Sequence, residues 1–217
     1  TSLAVKKARL VFSKLDRSKN KGLLPAKTWP LEHTNFTISN LANVFSRDSL
    51  DIGGRHLLQN IPVLNKGAKV ADLGCGNGVI GLAMLAQLSE NNLLNDSEVH
   101  FFDESYMAIE STKENVKNNL PAALEQSHFH VEDCLTNVEN SSFDLILCNP
   151  PFHQQQAVTD HIAWQMFNQS YKSLKNGGEL RIIGNRNLAY HIKLKRLFGN
   201  CQTIESNKKF VVLSAKK

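Results

Sequence analysis

From Lys69 onward the apolar positions alternate between short continuous runs and longer stretches at helical spacing. Residues 70–73, Val-Ala-Asp-Leu, form a short apolar run that stops at a glycine-rich turn, the signature of a buried strand. Over residues 77–88 the apolar positions Val79, Ile80, Leu82, Ala83, Leu85, Ala86 and Leu88 predict a helix packed on both flanks. A strand follows at 99–102, then an amphipathic helix over 105–118 with Ser105 as its N-cap. Residues 129–131 read as a weak strand and 143–148 as a strong one, stopped by Pro150 and Pro151. The remainder predicts a helix over 161–174 ending in Gly177-Gly178, a strand at 179–184, a basic amphipathic helix over 188–198 and a β-rich run at 210–213. Repeated strand–helix–strand units imply a parallel sheet with helices on both faces, because right-handed crossovers leave few other arrangements. The runs at Thr203-Ile204 and 210–213 are separated only by residues 206–208, too few for a crossover helix, so a C-terminal hairpin with one antiparallel strand is expected.

Residues 1–35 break this pattern: they are basic, weakly periodic and punctuated by Gly22, Pro25 and Pro30. They read as a linker or peripheral extension, with 37–59 as a helical prelude to a main domain over 36–217. No internal repeat is visible. The first residue is not Met, and the chain is read as a fragment or processed product with a preceding segment missing.

Composition narrows the class. In 217 residues, 41% apolar and 21% charged is the balance of an ordinary globular protein, which excludes wholesale disorder and collagen-like or low-complexity scaffolds. The longest apolar stretch, 79–88, is broken by Gly81 and Gln87 and falls short of the roughly 18 residues of a membrane span. Lys6, Lys7, Arg9 and Lys14 are not followed by the apolar stretch of a secretory signal. Cys75, Cys134, Cys148 and Cys201 form no CxxC pair, so neither a zinc knuckle nor a disulfide framework is expected, and free thiols in a reducing, cytoplasmic compartment are. Charge is segregated: net +6 over 1–35, −9 over 36–180 and +8 over 181–217. Basic ends around an acidic middle suit a nucleic-acid binder if both ends reach one face, and suit a solvated basic surface equally.

Two motifs carry chemistry. In Asp72-Leu73-Gly74-Cys75-Gly76-Asn77-Gly78, a strand passes through three glycines into a helix whose first N–H groups are free to meet a ligand. The GxGxG spacing differs from the GxGxxG of pyrophosphate cradles, and Asp72 suits an amine-bearing ligand better than a diphosphate. The next strand ends in Asp103-Glu104, where a carboxylate can accept both ribose hydroxyls, and the third in Glu132-Asp133, within reach of an adenine amine. Ribose, adenine and a sulfonium on an amino-acid tail together describe S-adenosylmethionine. A bare tight turn, an N-cap role for Asp103 and a solvated Glu132 are the structural alternatives.

The second motif, Asn149-Pro150-Pro151-Phe152, lies at the carboxyl end of the strongest strand, where open α/β sheets bind ligands. Consecutive prolines stiffen the chain and remove donors, leaving the carbonyls of Asn149 and Pro150 and the Asn149 side-chain oxygen as fixed acceptors. Such acceptors can grip the N–H groups of an exocyclic amine, turn its lone pair to a methyl donor and stabilise charge developing on nitrogen. Phe152 offers a face on which to stack a base. This chemistry needs no metal and no strong general base.

Together these motifs resemble class I S-adenosylmethionine-dependent amino-methyltransferases. The strings Phe36-Thr37-Ile38-Ser39-Asn40 through Val44-Phe45-Ser46-Arg47, Leu50-Asp51-Ile52-Gly53, Asn149-Pro150-Pro151-Phe152-His153-Gln154-Gln155 and Lys209-Phe210-Val211-Val212-Leu213 resemble the catalytic half of the bacterial ribosomal RNA guanine-N2 methyltransferases, over about residues 28–215. That resemblance implies a Rossmann-like, mostly parallel seven-stranded sheet and methyl transfer from S-adenosylmethionine to guanine N2, with large-subunit ribosomal RNA favoured as the partner, protein-free or partly unfolded. It implies a preceding RNA-recognising domain of the same chain. It places Phe45, Ser46, Asp72, Gly74, Cys75, Gly76, Asn77, Gly78, Asp103, Glu104, Asp133 and Asn149 around the cofactor. Asn149, Pro150, Pro151 and Phe152 are then catalytic, and Phe152, His153, Arg47, Lys193, Lys195 and Arg196 face the RNA. The acidic pair ending the third strand departs from the more neutral pair that also suits the family, which leaves the adenine contact of Asp133 open. Arg47 could instead pair with Asp48 or Asp51. His128 and His130 read as surface residues without a third metal ligand, and Trp164 and Phe167 as core. Other amine substrates (small-subunit guanine, adenine N6, protein glutamine) and a non-catalytic RNA-binding module are the rival readings.

Overall fold

The computed structural model describes residues 2, 8, 10–19, 25–151 and 157–217, with backbone alone over 157–160. Among these the chain runs β1 (Lys27–Pro30), β2 (Thr37–Asn40), α1 (Ile52–Leu58), β3 (Lys69–Leu73), α2 (Val79–Glu90), β4 (Glu98–Asp103), α3 (Tyr106–Asn119), β5 (Ser127–Val131) and β6 (Phe143–Cys148). It continues through α4 (Ala157–Ser173), β7 (Leu174–Asn185), α5 (Tyr190–Phe198), β8 (Gln202–Ser206) and β9 (Phe210–Lys216). Seven strands form one sheet in the order β5-β4-β3-β6-β7-β9-β8. The first five are parallel, and β9 runs antiparallel to both β7 and β8, which is the expected terminal hairpin.

Alternation along the strands sends residues to two cores. Val70, Val99, Phe101, Leu145 and Leu147 face α1, α2 and α3, meeting Leu57, Leu82, Leu85, Ile109 and Val116. Ala71, Leu73, Phe102, Ile146 and Ile182 face α4 and α5, meeting Met166, Phe167, Leu194 and Phe198. The approach of α2 is close enough to require Gly81, since a Cβ there would stand 2.2 Å from the Phe101 ring. From β3 the chain builds outward through β4 to β5, then returns to add β6 and β7 on the other flank. This reversal opens a crevice at the carboxyl ends of β3 and β6, where open α/β sheets hold ligands.

Three expectations are corrected. Residues 37–59 are not one helix: β2 is followed by irregular chain, and only α1 is helical. The cause lies on α3, where Ser111, Asn115 and Asn119 recur every four residues and so line one stripe. Their side chains serve as a template for β2. Asn119 accepts from the Thr37 N–H at 2.7 Å, Asn115 accepts from the Ser39 N–H at 2.7 Å and donates to the Ser39 carbonyl at 2.9 Å, and Ser111 accepts from the Leu41 N–H at 3.0 Å. Backbone groups occupied in this way are unavailable to a helix. Second, the basic N-terminal extension is not all linker: β1 pairs antiparallel with β2, and Trp29 and Leu31 enter the core, so a hairpin straddles residue 35. Third, the helix expected to close at Gly177-Gly178 ends at Ser173. β7 begins at once with Leu174 opposite Phe143, then slips register before Glu179 meets Leu145, with Gly177 in the left-handed region at φ 81°.

All four cysteines are free, with Cys75 and Cys148 buried. Among the described residues no helix is long and apolar enough to cross a membrane.

Asn115 is fully buried and also donates to the Asn77 carbonyl at 2.9 Å, so it ties β2 to the glycine turn. Asn115→Ala strands three buried backbone groups and is expected to lower unfolding free energy by about 3 kcal/mol, with Asn119→Ala costing under about 1. Urea denaturation measures both, and equal losses would contradict the template.

Candidate active site

The pairing of β3 with β6 sets the site. Leu73 lies opposite Cys148, so the chain leaves both strands at one level, into Gly74 on one side and Asn149 on the other. Neighbouring strands are about 4.8 Å apart, and the two motifs therefore flank one cleft. Met166 lies beneath both: its Sδ is 3.9 Å from the Cys148 thiol, and its Cε is 3.0 Å from where a Gly74 Cβ would stand.

Gly74, Gly76 and Gly78 all adopt positive φ (71°, 57° and 75°), a path that β-carbons resist. The N–H groups of Gly74 and Cys75 both donate to the Phe102 carbonyl, at 2.9 and 3.0 Å, which pins the turn to the end of β4. Thr112 closes it from below by donating to the Gly76 carbonyl at 3.1 Å, and a Cβ on Gly78 would strike that threonine at 2.5 Å. Two members of the motif serve the frame by their side chains. The Cys75 thiol is buried beside Thr112, its pKa pushed well up by burial, and Asn77 donates to Asn40 at 2.9 Å.

Asp72 is 1% exposed and accepts from the Gly81 N–H at 2.8 Å through Oδ2. Burial pushes its pKa up to about 7; the Gly81 hydrogen bond opposes this and the charge of Asp103 adds to it. Its Oδ1 is buried with no hydrogen-bond partner, and so are Arg47 Nε and Asn149 Oδ1. Leaving such an atom unmatched costs about 1–3 kcal/mol, and Asp72 Oδ1 and Asn149 Oδ1 belong to the neighbouring ends of β3 and β6.

Asp103 ends β4 and fixes two backbone groups. Oδ2 accepts from the Gly76 N–H at 3.0 Å and Oδ1 from the Ser105 N–H at 2.9 Å, while Ser105 itself caps α3. The N-cap alternative for Asp103 is thus excluded, and its carboxylate stands directly beside the glycine turn. Glu104 and Asp133 are exposed at the same end of the sheet, Asp133 accepting from Gln165 at 3.2 Å. Glu132 accepts from the Asn137 N–H at 2.6 Å.

The segment before α1 overhangs the turn. Phe45 is 59% exposed with its Cβ 3.9 Å from a Cβ built on Gly76, and Ser46 follows in the left-handed region at φ 57°. Arg47 donates to the Pro25 carbonyl at 2.9 Å, while Asp48 is ion-paired with Lys27. Asp51 caps α1, accepting from the Gly54 N–H at 2.8 Å, and its Oδ2 also receives the Asn149 side-chain amide at 3.4 Å. Sequence reasoning missed this role of Asp51, although an Asp immediately before a helix is an N-cap signal. Pro150 is buried, and Asn149 and Pro151 are half-buried at the cleft. Phe152 and His153 lie outside the described residues.

The basic trio is elsewhere. Tyr190, at the start of α5, packs against Phe167, but Phe198 at its end packs against Tyr171 near the end of α4. The helix therefore runs away from the cleft, and Lys195 and Arg196 lie exposed in its last turn, with Lys193 half-buried over the Tyr190 ring. Phe167 is core as expected, and Trp164 half-buried.

His128 and His130 are not simple surface residues. They stack with His100 at ring separations of 4.4 and 5.3 Å, and His100 Nδ1 lies 3.0 Å from His130 Nε2. Third ligands are present after all, since donor atoms of Glu98, His100 and His128 lie within 4.8 Å of one another. However, the planes of His100 and His128 are only 27° apart, and stacked rings cannot both direct a lone pair at one ion about 2.0–2.1 Å away. The cluster works as a hydrogen-bond chain from Lys69 through Glu98 and His100 to His130, with burial lowering the His100 pKa to about 4.

Residues 35–214 match the model of the methyltransferase small domain. The whole chain is 57% identical to the ribosomal RNA large subunit methyltransferase G of Pseudoalteromonas translucida, covering 55% of that protein. It is 55% identical to the protein of the same name from Colwellia psychrerythraea, covering 56% of it. The chain thus spans about half the length of the curated relatives it matches. Among solved structures, a T. thermophilus 16S rRNA N2 G1207 methyltransferase, in complex with AdoMet and guanosine, superposes with a TM-score of 0.73 at 26% identity, over 90% of this chain and 51% of that one. The match over residues 35–214 spans most of the chain, and the chain belongs to the methyltransferase small domain family.

Proposed function

We propose that this chain carries the catalytic site of an S-adenosylmethionine-dependent methyltransferase that modifies the N2 amine of a guanine in ribosomal RNA, the large subunit being favoured. One observation carries the reading: the β3–β6 register sets Asn149, whose Oδ1 is buried without a partner, level with the glycine turn. The names of the relatives support a large-subunit RNA, and the guanosine-bound neighbour supports guanine N2.

The site's residues fit the cofactor. The three positive-φ glycines allow close backbone approach, Asp72 Oδ1 is an unmatched acceptor for an amine, and Asp103 stands where ribose hydroxyls are held. Bound there, S-adenosylmethionine supplies an electrophilic methyl group on a sulfonium. Phe45 and Ser46 would cover its amino-acid end, and Glu104 and Asp133 would lie towards its nucleoside end. Asn149 Oδ1 and the Pro150 carbonyl take the two N–H groups of the target amine. That grip turns the nitrogen lone pair from the ring towards the methyl group and stabilises the positive charge that develops on nitrogen. The rigid diproline keeps both acceptors in place, Phe152 stacks the base, and His153 and Arg47 border it. The amine is inaccessible inside a duplex, so the guanine must be extruded or the RNA unfolded.

Lys193, Lys195 and Arg196, on a helix leading away from the cleft, would meet phosphates of the flanking RNA and not the target nucleotide. The part of the full-length protein outside this chain supplies further RNA recognition.

Asn149→Ala in the full-length protein is expected to keep S-adenosylmethionine affinity within about threefold while methyl transfer falls by on the order of 10²–10³. Labelled-methyl transfer to protein-free ribosomal RNA, with nucleoside mass analysis for N2-methylguanosine, checks both rate and product. Unchanged turnover removes Asn149 from the chemistry; methylated adenine or protein glutamine replaces the substrate.

A pH dependence follows from Asp72. With its pKa near 7 in the ligand-free fold, the carboxyl is increasingly protonated below that pH, and binding a cationic amine must first expel the proton. Affinity for S-adenosylmethionine should therefore weaken as pH falls from about 7, approaching tenfold per pH unit, and weaken again above about 8 as the amine itself deprotonates. Calorimetry between pH 5.5 and 8.5 reads this directly. Asp72→Asn should remove the acid limb, and pH-independent binding by the wild type would contradict it.

A further inference from the structure

We infer that Asp51 is a positioning residue: its carboxylate fixes the side-chain amide of Asn149 in the one orientation that presents Oδ1 to the target amine. This rests on the reading of Asn149 given above and adds the device that makes it work. An asparagine amide has two ends of opposite character, and only the oxygen can accept the N–H of an amine. Rotation by half a turn would present an NH2 group to the substrate, so some neighbour must choose between the two states. Pro150 and Pro151 cannot do so by donation, since neither has an N–H.

Asp51 can. Its Oδ2 lies 3.4 Å from Asn149 Nδ2, across 98 residues of chain. With the amide reversed, Oδ1 would face that carboxylate oxygen with no proton between them. An ionised acceptor therefore selects the state with Nδ2 inward, and Oδ1 is left buried with no partner. The contact is long, as catalytic hydrogen bonds often are before substrate tightens them. Asp51 is itself held: Oδ2 accepts from the Gly54 N–H at 2.8 Å, and its backbone carbonyl accepts from the Arg55 N–H at 2.9 Å, so the first turn of α1 anchors it. Its charge also favours the cationic nitrogen formed as the methyl group arrives, acting through the polarised amide.

Capping α1 is the structural role that must be separated from this one. Serine caps a helix about as well as aspartate but is too short to reach Asn149. Asp51→Ser should therefore fold with a melting temperature close to wild type. In the full-length protein its turnover on ribosomal RNA should fall at least tenfold, with KM for RNA and Kd for S-adenosylmethionine within threefold. Asp51→Asn, whose amide oxygen can take the place of Oδ2 and accept from both the Gly54 N–H and Asn149 Nδ2, should keep far more turnover than Asp51→Ser. In an Asn149→Ala background, single-turnover assays should show Asp51→Ser adding less than twofold. The side-chain NH2 resonance of Asn149 should move in Asp51→Ser, which keeps the test decisive if the double variant is too slow to measure. Full turnover by Asp51→Ser, an undiminished penalty in the double variant, or an unmoved Asn149 resonance overturns the assignment. If Asn149→Ala is fully active, the reading of Asn149 fails and Asp51 with it; if Asn149→Ala is inactive and Asp51→Ser is not, Asp51 alone is at fault.

Discussion

The in-register parallel pairing of β3 and β6 is the constraint on which the rest of the site depends. It brings together two chain reversals from distant parts of the sequence, one made of glycines and one of prolines, with Leu73 opposite Cys148. The two have opposite mechanical characters. The glycine turn gives room, letting the backbone approach a ligand closely. The diproline corner gives stiffness and removes donors, so that what remains at the cleft is acceptors. Slipping one strand by a single residue would turn its own side chains to the wrong face of the sheet and part the two reversals.

Around this pairing, buried amides do work that hydrophobic packing alone could not. Asn115 joins β2 to the glycine turn, and Asn77 joins the turn to Asn40 on β2. Strand, turn and α3 thus form one polar network, with the side chains of Asn40, Asn77 and Asn115 almost wholly excluded from solvent. Satisfied networks of this kind are directional where apolar contacts are not, and they specify one geometry. The consequence for the site is a turn whose shape is set from below, by Thr112 and Asn115, before any ligand arrives. The segment over residues 45–51, tied to Asn149 through Asp51, closes the opposite side.

Much of this was legible in the sequence, and the omissions have physical reasons. The strands at the site are short apolar runs bounded by Gly or Pro, and the helices carry local apolar spacing, so periodicity alone locates them. The acids at the ends of β3 and β4 stood out because a charge at the end of an apolar run demands an explanation. β2 did not stand out, since what makes it a strand is a stripe of amides on a helix some 76 residues later. The same blindness hid Asp51, recognisable as a cap but linked to Asn149 only by the fold. It hid the histidine chain too: His100 looked like one residue of an apolar strand until the β4–β5 register set it opposite His128. Charge segregation gave no geometry: only the fold shows that the basic helix α5 leads away from the cleft.

The proposed chemistry requires that the amine acceptors of the diproline corner and a methyl donor held by the glycine turn face each other across one cleft. A crystal structure of the full-length protein with S-adenosylhomocysteine and guanosine tests it most directly. Guanine N2 should then lie about 3 Å from both Asn149 Oδ1 and the Pro150 carbonyl. The cofactor sulfur should lie on the far side of that nitrogen, leaving room for one methyl group between them. Guanosine bound away from Asn149, or a cofactor that does not touch the Gly74–Gly78 turn, would contradict it.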